Sequence, residues 1–198
     1  EEEVPLFDAA GWLIRIDTQF HWHNEGFASF EDFLATLASR KRKAIRKERA
    51  SAVEGLDVER VSGADITERH WDAFWRFYQD TGSRKWGRPY LTRRFFSLLG
   101  ERMADRVMLI FAMRGGVPIA GALNLIGSDT LYGRYWGTTA DVPNLHFEIC
   151  YYQAIDVAIE RGLKRVEAGA QGGHKLARGY RPVPTYSAHY LPDPRFRE

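Results

Sequence analysis

Apolar and polar positions alternate along "WLIRIDTQFHWHN" (12–24), the period of a β-strand, and Gln19, His21 and His23 fall on one face. The stretch before it, "EEEVPLFDAAG", lacks that period and reads as a loose arm. Ser29 followed by Asp32 predicts a helix start for "FEDFLATLA". Leu34, Ala38, Ile45 and Ala52 keep a narrow apolar stripe at helical spacing, so this helix either continues to Gly55 or restarts at Ser39. "LDVERVS" predicts a short strand. Thr67 precedes a helix in "ERHWDAFWRFYQD" that ends before Gly82, and Trp71, Phe74, Trp75 and Tyr78 recur at core-facing spacing. Thr92 caps a further helix, "RRFFSLLGERM".

The pattern then changes. "RVMLIFAM", "VPIAGALNLI" and "LYGRYWG" are apolar runs separated by the turns "RGG" and "GSDT", which predicts an antiparallel meander. A long helix follows from about Leu145 to Arg161, with Asn144 as its cap and Gly162 at its end. "KRVEAGA" is a buried strand and "TYSAHYL" a last one. A helix joining "LYGRYWG" to "KRVEAGA" is a crossover, which makes these two strands parallel neighbours. The fold class is therefore α+β with α/β character, a mixed central sheet flanked by helices.

Ligands of such sheets bind beyond the carboxyl ends of the parallel strands. Tyr135, Trp136 and Gly137 are thus expected on one side of a cleft, and Glu167, Gly169 and Gln171 on the other. The crossover helix starts at the same edge and offers N–H groups and the positive end of its dipole.

A chain of 198 residues with 44% hydrophobic residues is long enough for one domain with a core. Its formal charge of +2 implies no particular partner. The single cysteine, Cys150, excludes an intramolecular disulfide framework and a cysteine zinc site, and its place in the helix pattern puts it in the core. His21 and His23 share a face, but no third ligand accompanies them, so no metal is expected. No apolar run reaches the roughly 18 residues that span a bilayer. No secretory signal is present, and a cytoplasmic location is expected.

"EAGAQGGHKLARGY" (167–180) has the small residues of a phosphate loop but not its spacing. Counted from Gly169, His174 stands where the second glycine belongs, and Leu176 follows Lys175 where a metal-binding hydroxyl belongs. Nucleoside triphosphate binding is not expected.

Three stretches resemble a known family. "SRKRKAIRKERASAVEGLDVERV" looks like the basic helix and strand of Fem-type proteins, within the GNAT acyltransferase superfamily. "LIFAMRGGVPIAGALNLIGSDTLYGRYWGT" resembles the GNAT hairpin core. "HFEICYYQAIDVAIERGLKRVEAGAQGGHKLARGY" is similar to bacterial predicted N-acyltransferases of peptidoglycan biosynthesis and recognition. The resemblance implies a GNAT-type N-acyltransferase fold. It implies transfer of an acyl or aminoacyl group, from aminoacyl-tRNA or acyl-CoA, to a small-molecule or peptide amine of cell-wall metabolism. The same shape is also consistent with a module that binds peptidoglycan precursor or tRNA without chemistry, and with an acetyl-CoA-dependent acetyltransferase. Coenzyme A users carry a glycine-rich loop before the crossover helix. Here "TTADVPNLHFE" lacks the glycines and its proline removes a donor. Fem-type proteins usually have two lobes. This chain is expected to hold the second, with 1–28 as an arm and strand linking to a first lobe and 29–198 as the transferase domain.

Candidate residues follow from both lines. Arg42, Arg46 and Arg49 share a helix face within a dense basic cluster and are expected to bind anions, including tRNA phosphates. Glu167 and His174 are candidate bases: the first sits in an apolar strand, and the second titrates near neutrality. His146, in the first turn of the crossover helix, and Lys175 complete the catalytic group. Tyr135, Trp136, Gly169, Gln171, Arg178 and Tyr180 form the expected substrate-binding rim. Each has a plainer reading: a solvated helix face for the arginines, a salt bridge with Arg165 for Glu167, a surface loop for the rest.

Overall fold

The computed structural model describes residues 2–84, 89–170 and 172–196. Among them seven strands form one mixed sheet. They are β1 (Leu13–His23), β2 (Asp57–Ser62), β3 (Val107–Arg114), β4 (Val117–Ile126), β5 (Thr130–Thr138), β6 (Arg165–Glu167) and β7 (Arg181–His189). Their spatial order is β2-β3-β4-β5-β6-β1-β7. All pairs are antiparallel except β5 with β6, the predicted crossover pair.

Helices cover the sheet unevenly. The opening stretch, expected as a loose arm, forms α1 (Val4–Ala9), started by Pro5 in its first turn. The apolar stripe after Ser29 breaks into α2 (Phe30–Ala35) and α3 (Ser39–Ala52), so the chain restarts rather than continues. Ser29 accepts a hydrogen bond from the Asp32 amide, as its spacing predicts. α4 (Glu68–Arg84) runs past Gly82, and α5 (Arg93–Met103) begins at the Thr92 cap. The crossover helix α6 occupies 145–160: Leu145–Phe147, a π-helical turn Glu148–Tyr152, then Gln153–Glu160. Asn144 precedes it in the left-handed region and makes no side-chain cap; its amide donates to Ser51 instead.

Two cores result from strand alternation. Trp22, Ile110, Ala122, Leu131 and Val166 face α2, α3 and α6. Leu109, Phe111 and Leu123 face α4 and α5. Residues paired across strands point to the same side. Because Trp22 pairs with Val166 and His21 with Glu167, Glu167 points away from α6.

The parallel pair is short. It joins Thr130, Leu131 and Tyr132 to Arg165, Val166 and Glu167, and then the strands part. A bulge marks the place: Asn124 pairs with Gly133 and Leu123 with Tyr135, leaving Arg134 unmatched. Such an extra residue bends a strand and ends its pairing. The other wall stays on β1, where Ala168 donates to Phe20 and Phe20 to Gly169. Gly137 lets the far end of β5 lie against α4, since a Cβ there would stand 2.2 Å from the Phe77 carbonyl oxygen.

Candidate active site

Beyond Tyr132, no strand pairs with the edge of β5 that faced β6, among the described residues. The opening has a sidedness that the alternation dictates. Trp136 turns toward α6 and meets His146 at 5.3 Å between ring centroids. Tyr135 turns the other way, toward α4, and its hydroxyl meets that of Tyr90. Burial, then the Tyr90 bond, raises the Tyr135 phenol to about 12, so it stays protonated.

A 3-10 segment, Gly173–Arg178, lies over the α6 side of the opening. His174 is exposed on it, as are Gly173, Leu176 and Ala177. Its ring is enclosed by His146, Phe147 and Tyr151, with centroids 6.3, 5.5 and 5.8 Å away. The Tyr151 hydroxyl and His174 Nε2 share a hydrogen bond of 3.0 Å. Partial burial, then the Arg178 and Lys175 charges, lowers the His174 pKa below its ordinary 6.5. The ring is therefore neutral at neutral pH. Burial holds the Tyr151 phenol protonated as well. Gly172 makes the arrangement possible. Its φ is 105°, and a Cβ there would stand 2.2 Å from His174 Cε1 and 2.7 Å from Nδ1.

The two cations of the loop are engaged within the chain. Lys175 is 3% exposed, and its ammonium donates to the Ala168 and Gly169 carbonyls at 2.7 and 3.1 Å. Burial lowers its pKa. It fixes the wall of the opening just past β6. Arg178, 6% exposed, donates to the His174 carbonyl at 2.8 Å and to Glu48 at 2.9 Å, and stacks 3.4 Å over Phe147. Tyr180 lies beneath the opening rather than lining it, buried and donating to the Tyr151 carbonyl.

The residues expected at the site thus separate. His146, His174, Lys175, Trp136, Gly169 and Arg178 come together on the α6 side. Glu167 stands on the opposite face of the sheet, 3.5 Å from Arg165 and 3.9 Å from His21. It opens on a different groove of 510 Å³, lined also by Phe7, Ile14 and Val183. Gln171 lies outside the described residues.

The basic helix does not present its three arginines as one face. Arg42 donates to the Leu37 carbonyl, Arg46 pairs with Glu31, and Arg49 turns inward to Glu148 and Asp156 at 2.9 and 2.6 Å. Arg40, Lys41, Lys43 and Lys47 remain exposed on α3. Cys150 packs against the core, and burial pushes its thiol up, away from nucleophilic form. No cluster of three metal-ligating side chains occurs among the described residues, and no described helix is long and apolar enough to cross a membrane.

Several participants were not read from sequence. Phe147 and Tyr151 sit four apart on α6, and Glu48 is the one acid of a basic helix. The i, i+4 aromatic pair was the available signal for the first two.

Solved structures share this architecture. The structure of L-PGS from Bacillus licheniformis superposes with a TM-score of 0.68 at 11% identity, over 96% of this chain and 65% of that one. FemX gives 0.64 at 12% identity, over 91% and 63%. A GCN5-related glucosamine N-acetyltransferase region of a fungal multi-domain β-N-acetylglucosaminidase gives 0.50 at 12% identity, over 96% and 22%. The chain spans slightly less than two thirds of the length of the first two. At these identities the likeness establishes the fold, a GNAT- and Fem-type acyltransferase architecture. No curated protein matches the chain by sequence. The FemAB_like family model, described as peptidoglycan biosynthesis/recognition, matches residues 1–198, and the chain belongs to that family.

Proposed function

We propose that the chain transfers an acyl or aminoacyl group to an amine at the opening between β5 and β6, with His174 as the base. The observation that carries this reading is the exposed, neutral His174 ring, anchored by Tyr151 beside the unpaired edge of β5. When Nε2–H donates to the Tyr151 oxygen, Nδ1 is left to accept a proton from the attacking amine. The amine nitrogen bonds to the acyl carbon and the carbonyl becomes an oxyanion; as the carbonyl re-forms, the carbon–oxygen bond to the carrier breaks and the carrier oxygen leaves as an alcohol, with the proton returned from His174 Nδ1. The unpaired backbone of β5 beyond Tyr132 offers N–H groups to that oxyanion. Lys175 acts indirectly, by holding the Ala168–Gly169 wall in place.

Aminoacyl-tRNA is the favoured donor. Coenzyme A pyrophosphate would need the first-turn N–H groups of α6. Leu145 N–H donates to Val142 and Phe147 N–H to Asn144, so two of these are taken internally. The exposed cations of α3, Arg40, Lys41, Lys43 and Lys47, supply a surface for phosphates. The acceptor amine is assigned to a cell-wall peptide from the family's description. A second reading, a module that binds peptidoglycan precursor or tRNA without chemistry, draws on the internal engagement of Lys175 and Arg178.

The test is transfer of labelled amino acid from charged tRNA, against acetyl-CoA as donor, to an amine-bearing peptidoglycan precursor. Turnover from charged tRNA that disappears in His174→Ala supports the proposal. Binding without turnover from either donor favours the module.

A further inference from the structure

We infer that Glu48 is a positioning residue for this reaction: through Arg178 it fixes the segment that presents His174. The inference rests on the reading of His174 as the base. It begins with an oddity of α3. The helix carries Arg40, Lys41, Arg42, Lys43, Arg46, Lys47 and Arg49, and Glu48 is its single acid. On a solvated basic face, an acid pairs with cations three or four positions away. Ala44 and Ala52 occupy the i−4 and i+4 positions, and among the described residues the cation that pairs with Glu48 lies 130 residues on.

That partner is Arg178, whose one ion pair among the described residues is with Glu48. One guanidinium nitrogen reaches Glu48 Oε2 and the other donates to the His174 carbonyl. Its plane lies on Phe147, which also flanks the His174 ring. Backbone and ring platform of the base are therefore gripped by one side chain, and that side chain is oriented by Glu48. Tyr152 donates to the same carboxylate oxygen and holds it on α6. A nearly buried guanidinium that loses its carboxylate turns elsewhere, and the His174 carbonyl loses its donor with it. Displacement of a reacting group by about 1 Å costs on the order of 100-fold in rate.

The experiment measures kcat and KM of transfer for Glu48→Leu, Glu48→Gln, Arg178→Lys and His174→Ala, with thermal melts and the imidazole nitrogen signals of His174. Glu48→Leu is expected to lower kcat about 10- to 100-fold, with KM within about 3-fold, and to shift the His174 signals. Glu48→Gln keeps an oxygen facing Arg178 and is expected to stay within about 5-fold of the parent kcat. Arg178→Lys keeps the charge, loses the two-armed bridge, and is expected to be as slow as the Leu variant. A folded Glu48→Leu protein with parental kcat, or a Gln variant as slow as the Leu variant, overturns the inference. Should Glu48→Leu fail to fold, the contrast between Glu48→Gln and Arg178→Lys decides: equal rates overturn it. If His174→Ala is fully active, the base reading falls. The nitrogen signals then judge Glu48 alone: shifted in its variants if it positions the ring, unchanged if it does not.

Discussion

The Tyr151 hydroxyl meets Nε2 of His174 at 3.0 Å, which leaves the other ring nitrogen over Gly172. His174→Ala is expected to reduce transfer about 100- to 10,000-fold, the usual contribution of a general base. The pH profile carries the sign. A base works deprotonated, so kcat/KM falls as pH falls through the His174 pKa, and that pKa lies below 6.5. The limb should appear on the acidic side of 6.5 and vanish in the alanine variant. His146 and Tyr151 on α6, with Arg178 and Lys175 on its own segment, are the titratable and charged neighbours of this ring. A limb above pH 7 would remove His174 from the base role.

Gly172→Ala tests the same nitrogen from the other side. The new methyl would overlap the imidazole, and φ of 105° strains any side chain. The variant is expected to fold, with a loss of roughly 1–3 kcal/mol, and to lose transfer about as fully as His174→Ala. Unaltered turnover would show that access to Nδ1 is not needed.

Lys175 is expected to act as a brace rather than on substrate. Lys175→Met keeps the buried stem and strips the ammonium from the Ala168 and Gly169 carbonyls. The Gly169 carbonyl keeps the Phe20 N–H, so the cost falls on the half-buried Ala168 carbonyl, about 1 kcal/mol, to be read in urea unfolding. Transfer should fall through kcat with KM little changed, and a purely KM effect would place Lys175 on the substrate.

Arg49 should be a stability residue. It lies between the Glu148 carboxylate, 2% exposed, and Asp156, 15% exposed. Breaking a buried pair from one side costs about 3–5 kcal/mol, so Arg49→Met should unfold at markedly lower denaturant. Adding Glu148→Leu should recover much of the loss, because the stranded charge is then gone. Tight tRNA binding that fails in Arg49→Met without loss of stability would restore the arginine to the anion surface.

Coenzyme A should not raise the melting temperature. A ligand at 100 times its dissociation constant adds about 2.7 kcal/mol, a shift readily seen. A clear shift at millimolar coenzyme A would reverse the choice of donor.

The sheet was legible where periodicity decides it. The meander, the crossover helix and the parallel pair follow from apolar runs of strand length and one long apolar helix pattern. The opening beyond the pair was legible as a place, through the crossover rule. Its sidedness was not. Glu167 and Trp136 both border the opening, but alternation sends them to opposite faces, and the bulge at Arg134 shifts the count within β5. Lys175 read as a catalytic group and Arg178 as a substrate contact because charge in a small-residue loop reads the same whether it faces solvent or a carbonyl. The inward turn of Arg49 depended on acids more than 90 positions away. The role of Tyr151 was hidden for a similar reason: an aromatic on a core helix gives no sign of which atom its hydroxyl will meet.

β1 lies between β6 and β7, with Leu13 opposite His189 and Trp22 opposite Val166. A ribosome therefore releases this strand long before either neighbour exists. Until residues near 165 and 181 emerge, its backbone edges have nothing of their own sheet to hold, and the loop bearing His174 has no frame on either side. Assembly of the corner that bears His174 thereby waits for those residues, well after the β2–β5 meander has all its strands.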